Sequence, residues 1–505
     1  MAEEAQRETV AFLSDPRTHG GQKVETIITH ASIVFMAGDR VYKLKRAVKY
    51  SYLDFSTVDL RRAACEKELV LNRRTAPQLY LSATPIIRDA SGRLALGGRG
   101  EAVDWVVVMR RFSQDALFTC LVPGGGIKPD LWRRLTDRIA AFHRDAERMP
   151  DFGGSAGVEQ VIGINDENLR RCGPPEITMD EVDALTASAR AAAARLAPLL
   201  EQRRRDGKVR RCHGDLHLRN LCLIDGEPTL FDCIEFNESL ACIDVLYDLA
   251  FLLTDLRVRG YATEASIVFN RYLDIADESD GLAALPLFLA LRAWVRAHVM
   301  ATAARNEPVG SMKLPRRYFD LACDLLHPRT PRLVAVGGLS GTGKSTIAAI
   351  LAGRIGQAPA ARVLRSDVVR KCLFGVAPEE RLSAEAYSRD ATERVYARLE
   401  SEAQSAVEAG TSVLIDAVSA KAEERASFAD LAQRLNVPFA GIWLEAPAEV
   451  LRQRIGARKN DASDADLAVL EKQRGYDLGA IDWHRIDASP EPKAVAEAAL
   501  AAISR

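Results

Sequence analysis

The order of apolar and polar positions divides the chain into two dissimilar halves. Between residues 26 and 45, short β-branched runs flank a turn at Gly38-Asp39. This predicts a hairpin of Ser32-Ile-Val-Phe-Met36 with Arg40-Val-Tyr-Lys-Leu-Lys45. Residues 58–74 place apolar side chains at helical spacing amid dense charge, and Asp104-Trp-Val-Val-Val-Met109 predicts a fully buried strand. From Pro129 onward helical spacing dominates. It breaks over the polar, turn-rich stretch 209–238 and resumes over 243–326. His327-Pro-Arg-Thr-Pro-Arg332 combines two prolines with charge, the chemistry of a linker. Beyond it the apolar runs Leu333-Val-Ala-Val336, Val413-Leu-Ile415 and Ala440-Gly-Ile-Trp-Leu444 alternate with helical segments, which predicts a parallel sheet wrapped by helices. The expected domains are 1–327 and 328–505.

Length supports that division, because 505 residues exceed what a single core of roughly 250–300 residues holds. A composition 48% apolar and 27% charged gives no sign of a disordered or fibrous chain. Lys plus Arg (68) balance Asp plus Glu (69), so no net field draws the molecule to nucleic acid or to an anionic membrane. The acidic start lacks the order of a signal peptide, and the strongest apolar run, 285–295, is interrupted by Arg292 short of the ~20 residues of a membrane span. A cytoplasmic protein with neither membrane nor nucleic acid as partner is expected. The nine cysteines form no CxxC pair, and Cys212, Cys222, Cys233 and Cys242, near His213 and His217, match no zinc spacing.

The sharpest motif is Gly338-Leu-Ser-Gly-Thr-Gly343-Lys344-Ser345, a GxxxxGK[ST] phosphate loop between a strand and a helical pattern. Its glycines let backbone amides wrap phosphates at a helix N-terminus, Lys344 balances β/γ charge, and the Ser345 hydroxyl suits magnesium. The phosphate-binding set is Gly338, Ser340, Gly341, Thr342, Gly343, Lys344, Ser345 and Thr346. Asp367, in Arg365-Ser-Asp-Val-Val-Arg370, follows a strand and is the candidate to orient or deprotonate an acceptor hydroxyl; a helix N-cap is its plainer reading. Asp416 ends an apolar run as a metal-side carboxylate does, and Arg452, Arg454 and Arg458, before Asp461-Ala-Ser-Asp464, suggest a lid over phosphates. The segment 331–505 resembles the small-molecule P-loop kinases, a group that includes gluconate kinase, chloramphenicol phosphotransferase and zeta-toxin-like kinases. That resemblance implies ATP-dependent phosphorylation of a hydroxyl.

A second constellation lies upstream. His213-Gly-Asp215-Leu-His-Leu-Arg-Asn220 carries an Asp five residues before an Asn, and Asp232 follows in Leu230-Phe-Asp-Cys. An Asp that takes the acceptor's proton, an Asn on magnesium and a second Asp on the same metal form the core of a kinase loop. The segment resembles the aminoglycoside phosphotransferase family, over about residues 25–325. The resemblance implies an α+β protein-kinase-like fold, with Asp215 as catalytic base, Asn220 and Asp232 as magnesium ligands, His213 shaping the loop, and Asp248 supporting it from the next helix. It also implies a lysine–glutamate pair for the α/β-phosphates. Lys43 or Lys45 and Glu66 or Glu68 are available, with Lys43 and Glu68 preferred. The hairpin carries Thr29-His-Ala-Ser32 where protein kinases have GxGxxG.

The whole chain resembles bacterial fusions of an aminoglycoside-phosphotransferase-like domain with an AAA-family ATP-binding domain; residues 328–505 are too few for a ring ATPase with a separate lid domain. The expected activity is a bifunctional ATP- and Mg2+-dependent phosphotransferase acting on a hydroxyl of a sugar- or aminocyclitol-like small molecule. Two further readings are a nucleotide-binding regulatory domain controlling one P-loop kinase, and a kinase for nucleic-acid ends or a protein, for which the arginines of 203–211 would supply a local patch.

Overall fold

The computed structural model describes residues 6–29, 31–50, 53–125, 127–304, 313–457 and 463–504. By packing, the chain forms two compact units, Met1–Val161 with Ala197–Leu252, and Ile162–Leu196 with Leu253–Arg505.

The first unit is built on an antiparallel six-stranded sheet behind the short helix α1 (Arg7–Ser14). Its strands are β1 (Val24–Ile28), β2 (Ser32–Ala37), β3 (Arg40–Lys45), β4 (Tyr80–Arg88), β5 (Leu94–Leu96) and β6 (Glu101–Arg110), in the spatial order β1-β2-β3-β6-β4-β5. The hairpin turns at Gly38-Asp39 as expected, with Ala37 opposite Arg40. Lys43 then falls between Val34 and Val107, in the middle of the sheet. Helix α2 (Val58–Asn72) starts at Thr57, whose hydroxyl accepts the Leu60 N–H at 3.2 Å. Its buried positions Arg61, Cys65, Glu68 and Asn72 recur at three to four residues, so Glu68 joins the buried face while Glu66, about half a turn away, pairs with Arg62 in solvent.

One sequence expectation is corrected here. The run Asp104–Met109 is not fully buried, since Trp105 and Val108 are half-buried. This face of the sheet is only partly covered, and Arg62 lays its guanidinium over the Trp105 ring at 5.2 Å. Asp104 itself is 1% exposed and takes Arg61 Nε at 2.7 Å and Gln6 Nε2 at 2.7 Å. Gln6 also binds both sides of the strand end, donating to Lys45 O at 2.9 Å and accepting from the Ala47 N–H at 2.7 Å.

Behind the sheet lie α3 (Pro129–Asp145), the ladder of β7 (Val209–Arg211) with β10 (Cys242–Asp244), the hairpin β8 (Leu221–Ile224) and β9 (Glu227–Leu230), and the start of α4 (Val245–Val258). Cys222 and Ile224 join the core formed by Cys65, Leu79, Tyr80 and Val107, which seats the β8–β9 hairpin against the sheet.

The second unit contains α5 (Ala262–Ile275), α6 (Leu285–Ala304) and a parallel five-stranded sheet. The strands are β11 (Leu333–Gly337), β12 (Arg362–Arg365), β13 (Val413–Asp416), β14 (Phe439–Glu445) and β15 (His484–Asp487), in the order β12-β13-β11-β14-β15. The central strand β11 is buried throughout, as a near-continuous apolar run requires in a sheet covered on both faces. Its helices are α7 (Lys344–Ala352), α8 (Ser366–Leu373), α9 (Arg389–Glu408), α10 (Ala422–Arg434), α11 (Ala448–Gly456), α12 (Leu467–Arg474) and α13 (Pro492–Ile503). The stretch Ser279–Thr302 is long and apolar enough to cross a membrane, with mean hydropathy 1.4, and 78% of that window is buried inside the protein.

Replacing Asp104 by Leu removes the carboxylate from a buried guanidinium, so the folded state should lose about 3–5 kcal/mol, read as a lower urea midpoint. The double variant Arg61→Met/Asp104→Leu should recover much of that loss, because no charge then stays buried without its partner.

Candidate active sites

In the first unit, β7 delivers the chain into the loop 213–220, and one buried carboxylate fixes its start. Asp248 on α4 accepts the His213 N–H at 3.0 Å and the Gly214 N–H at 2.8 Å, and lies 3.1 Å from His143 Nε2. His213 Nε2 donates to Phe231 O at 3.0 Å, and Nδ1 accepts the Asp215 N–H at 3.3 Å. Burial holds the His213 pKa below its ordinary value, against the nearby Asp248 and Asp215 charges, so a neutral ring makes both bonds. Cys212 joins His143 and Asp248 with ligand atoms within 4.8 Å, but hydrogen bonds already account for this trio: the Cys212 thiol donates to Ile243 O at 3.4 Å.

Asp215 keeps a partly exposed carboxylate. Asn220 Nδ2 donates to its Oδ2 at 2.8 Å and to its main-chain oxygen at 2.9 Å, and His217 Nε2 lies 3.4 Å from the same Oδ2. Asp232, at φ 64°, gives its N–H to the Tyr80 hydroxyl at 3.1 Å. Its carboxylate accepts Lys43 Nζ at 2.6 Å, and Lys43 donates also to Glu68 Oε1 at 2.9 Å. The other Glu68 oxygen meets Lys45, which in turn donates to Glu235. Five buried or half-buried charges thus run Asp232–Lys43–Glu68–Lys45–Glu235.

Burial works against the Lys43 ammonium, but Asp232 and Glu68 outweigh it and hold its pKa well above the usual lysine value. Burial likewise opposes ionisation of Glu68 and Asp232, and the lysines override it, so both stay below the ordinary carboxylate range. Glu235 goes the other way: burial and Glu68 push it up despite Lys45. The preferred pair Lys43 and Glu68 is therefore in contact. Glu235 and Tyr80 belong to the same network and were missed; Glu235 stands three residues after Asp232, a spacing that signals nothing without the fold. Asn220 and Asp232 offer the hard oxygens that suit Mg2+. The hairpin turn has no glycine loop; Thr29 Oγ1 accepts the Ser32 N–H at 2.9 Å, and His30 lies outside the described residues.

In the second unit, β11 runs into the phosphate loop, where Gly338, Gly341 and Gly343 all take positive φ. At Gly341 a Cβ would stand 2.8 Å from Leu451 O, so only glycine fits. Lys344 Nζ donates to Gly338 O at 2.8 Å and Leu339 O at 3.2 Å. Ser345 Oγ donates to Asp416 Oδ2 at 2.6 Å, which places the two expected magnesium ligands in contact. Arg365 Nε lies 3.4 Å from the same carboxylate oxygen, and Gln473 Oε1 accepts the Ser340 N–H at 2.8 Å. Neither Arg365 nor Gln473 was singled out from sequence.

Asp367 is the second residue of α8 and not its N-cap, which is Arg365. Burial pushes its carboxyl above the usual range; Arg365 and Lys344 oppose this and Asp416 adds to it. Arg454 Nη2 donates to Ala488 O at 2.9 Å, and Nη1 reaches Thr342 O at 3.5 Å, beside the phosphate loop. Arg452 instead faces solvent and pairs with Glu471 at 2.9 Å, and Arg458 lies outside the described residues. Asp464 accepts the Tyr387 hydroxyl at 2.7 Å and Lys371 at 3.2 Å. The phosphate loop from Ser340 to Thr346, Asp367, Asp416 and Arg454 line one cavity of about 1700 Å3, larger than the ~300–1,000 Å3 of a single small-ligand pocket.

Residues 128–287 match the model of the Phosphotransferase enzyme family, and residues 333–476 match that of the AAA domain. An uncharacterized protein of Mycobacterium tuberculosis is 30% identical over 482 residues, covering 93% of this chain and 93% of that one. The adenylyl-sulfate kinase of Myxococcus xanthus is 31% identical over 117 residues, 23% of this chain and 59% of that one. The crystal structure of a choline/ethanolamine kinase family protein from Mesorhizobium loti is similar at 15% identity, covering 64% of this chain and 95% of that one, with a TM-score of 0.40. The two family matches take in the His213–Asn220 loop and the phosphate loop, one each. The chain is a phosphotransferase with a kinase-like domain followed by a P-loop kinase domain. Its 30% identity extends over 93% of both chains, and the protein therefore belongs to the same family as the mycobacterial relative, joining a Phosphotransferase enzyme family domain to an AAA domain.

Proposed function

We propose that the protein is a bifunctional kinase of two domains, 1–327 and 328–505. Each transfers the γ-phosphoryl of ATP to a hydroxyl of a sugar- or aminocyclitol-like small molecule. The observation that supports this reading is that each compact unit brings a carboxylate together with the groups proposed to hold phosphate and metal: Asp215 with Asn220 in one, Asp367 near the Ser345–Asp416 pair in the other. The adenylyl-sulfate kinase relative acts, by its name, on a small molecule, in keeping with the proposed acceptor class.

In the first site Lys43, aligned by Glu68, holds the α/β-phosphates, and Asn220 and Asp232 bind Mg2+. Asp215 orients the acceptor hydroxyl and receives its proton as the phosphoryl group passes to the oxygen and ADP leaves. In the second, the amides from Gly338 to Thr346 and Lys344 cradle the phosphates, and Ser345 and Asp416 hold Mg2+. Asp367 takes the proton there, and Arg454, with Arg458, neutralises charge on the moving group. When bound, Mg2+ would supply neutralising charge at the phosphates in both sites. A nucleic-acid substrate finds little support in the arginines of 203–211. Arg203 is bound to Asp244 at 2.8 Å, Arg204 to Glu201 at 2.8 Å, Arg211 to Glu147 at 3.2 Å, and Arg210 donates to Ala146 O at 3.1 Å, while the exposed Arg205 donates to Gln202 Oε1 at 3.4 Å.

Wild type, Asp215→Ala and Lys344→Ala proteins given ATP, Mg2+ and a panel of sugars, aminocyclitols, nucleosides and short oligonucleotides should yield two phosphorylated products by mass. Each variant should lose one of them by about 10²–10³-fold. An Asp215→Ala protein that makes every product at the wild-type rate would reduce the first domain to a binding module.

A second test uses the pKa of Asp367. With its folded value above the unfolded one, the folded state binds the extra proton between the two, so stability falls as pH rises through that window and stays lower above it. In protein free of nucleotide and magnesium, Asp367→Asn should therefore raise the neutral-pH melting temperature while abolishing transfer by the second site. A lower melting temperature would refute the assigned environment.

A further inference from the structure

The edge of the parallel sheet is closed by a side chain in place of a strand. β12 is the outermost strand, so one side of its backbone has no neighbouring strand. Asn270 on α5 meets that side: Oδ1 accepts the Val363 N–H at 2.7 Å, and Nδ2 donates to Ala361 O at 3.1 Å. A carboxamide carries the same donor and acceptor as a peptide group, so it satisfies the edge as another strand would. Its rotamer is fixed by a further bond from Nδ2 to Ser266 O at 3.1 Å. One turn along the helix, Asp274 accepts the buried Arg362 guanidinium at 2.6 Å.

The same region of chain also meets the end of the phosphate-binding helix. Arg257 Nη1 donates to Gly353 O at 2.7 Å, immediately after α7. A Cβ at Gly353 would stand 2.6 Å from Ala262 O, the first residue of α5, so this close approach requires glycine. Residues 257–274 lie inside the stretch matched to the Phosphotransferase enzyme family, yet they pack on the strand and helix that frame the P-loop site. β12 leads directly into Arg365, which contacts Asp416, and then into Asp367.

We propose that Asn270 is a positioning residue of the second kinase site. By closing the free edge of β12 it holds Arg365 and Asp367 in register with Asp416 and the phosphate loop. The inference rests on the reading of Asp367 as the acceptor-side carboxylate. A sub-ångström drift of β12 moves that carboxylate relative to the γ-phosphate without disturbing the backbone amides that bind nucleotide, so turnover suffers and nucleotide affinity does not.

The test uses the full chain carrying Asp215→Ala, in which ATP turnover with water in the acceptor's place comes from the second site. Asn270→Ala removes both hydrogen bonds; Asn270→Asp keeps the volume and the acceptor for the Val363 N–H but turns a carboxylate oxygen toward Ala361 O and Ser266 O in place of the donor, and it decides the matter if the alanine variant does not fold. Hydrogen exchange of the Val363 amide and steady-state ATP hydrolysis are measured. Asn270→Ala should exchange at Val363 at least about tenfold faster and lose about tenfold in kcat, with KM for ATP within about twofold. Asn270→Asp should lose less kcat and keep slow exchange. Unchanged kcat, or KM rising in step with a falling kcat, overturns the proposal. Asp367→Ala serves as the reference: if it leaves kcat intact, the reading of Asp367 falls and this inference with it, whereas a dead Asp367→Ala beside a fully active Asn270→Ala defeats the inference alone.

Discussion

A charge taken out of water has to meet an opposite charge, and in this protein that requirement builds the first site. Glu68 is fully buried, which would be prohibitive for a lone carboxylate. Lys43 and Lys45, two residues apart on one face of β3, bind its two oxygens and are themselves held by Asp232 and Glu235. Because Asp232 and Glu235 come from the segment after the His213–Asn220 loop, closing the charge network also fixes where that loop sits against the sheet. The same rule repeats at Arg61 with Asp104 and at Arg203 with Asp244, each locking a neighbouring element.

The second site solves the phosphate problem by other means. Its anion cradle is mainly backbone, whose donors need no counter-ion, and sharp turns at three glycines shape it. Lys344 rests on two carbonyls of its own loop, a milder arrangement than the two carboxylates around Lys43. Precision therefore depends on strand ends: Gly338 follows β11, Asp416 ends β13, and Asp367 follows β12. Parallel register aligns Val336 and Arg365 with Asp416 across the three strands, and this brings the chemistry to one edge of the sheet.

What was legible in the sequence is what chemistry keeps contiguous. The phosphate loop and the His213–Asn220 loop carry their candidate groups within eight residues, so motif spacing, with the strand and helix context of the one and the following Asp232 of the other, singled them out. The structure separates Glu68 from Glu66 by periodicity, since Glu68 shares the buried stripe of Arg61, Cys65 and Asn72. Illegible were the partners that approach through space, Glu235 to Lys45 across 190 residues and Gln473 to Ser340 across 133. A single polar side chain that meets a distant backbone amide leaves no periodic trace. The arginines expected to form a lid show the same limit, since Arg452 and Arg454 are two residues apart on one helix and consequently face different ways, one to Glu471 and one to the phosphate loop.

The different construction of the two sites decides how each can be lost. Removing Lys43 would leave Asp232 without its lysine and Glu68 with Lys45 alone, so a single substitution damages charge balance and loop placement together. In the P-loop site the backbone donors survive the loss of a polar side chain, so Lys344, the Ser345–Asp416 pair and Asp367 are open to single substitutions that leave the cradle intact, whereas a side chain at Gly341 would meet Leu451 O and break it. Two sites of such different physical design cannot be copies of one another. Each depends on its own sheet, and each would respond separately to a change of salt, pH or sequence.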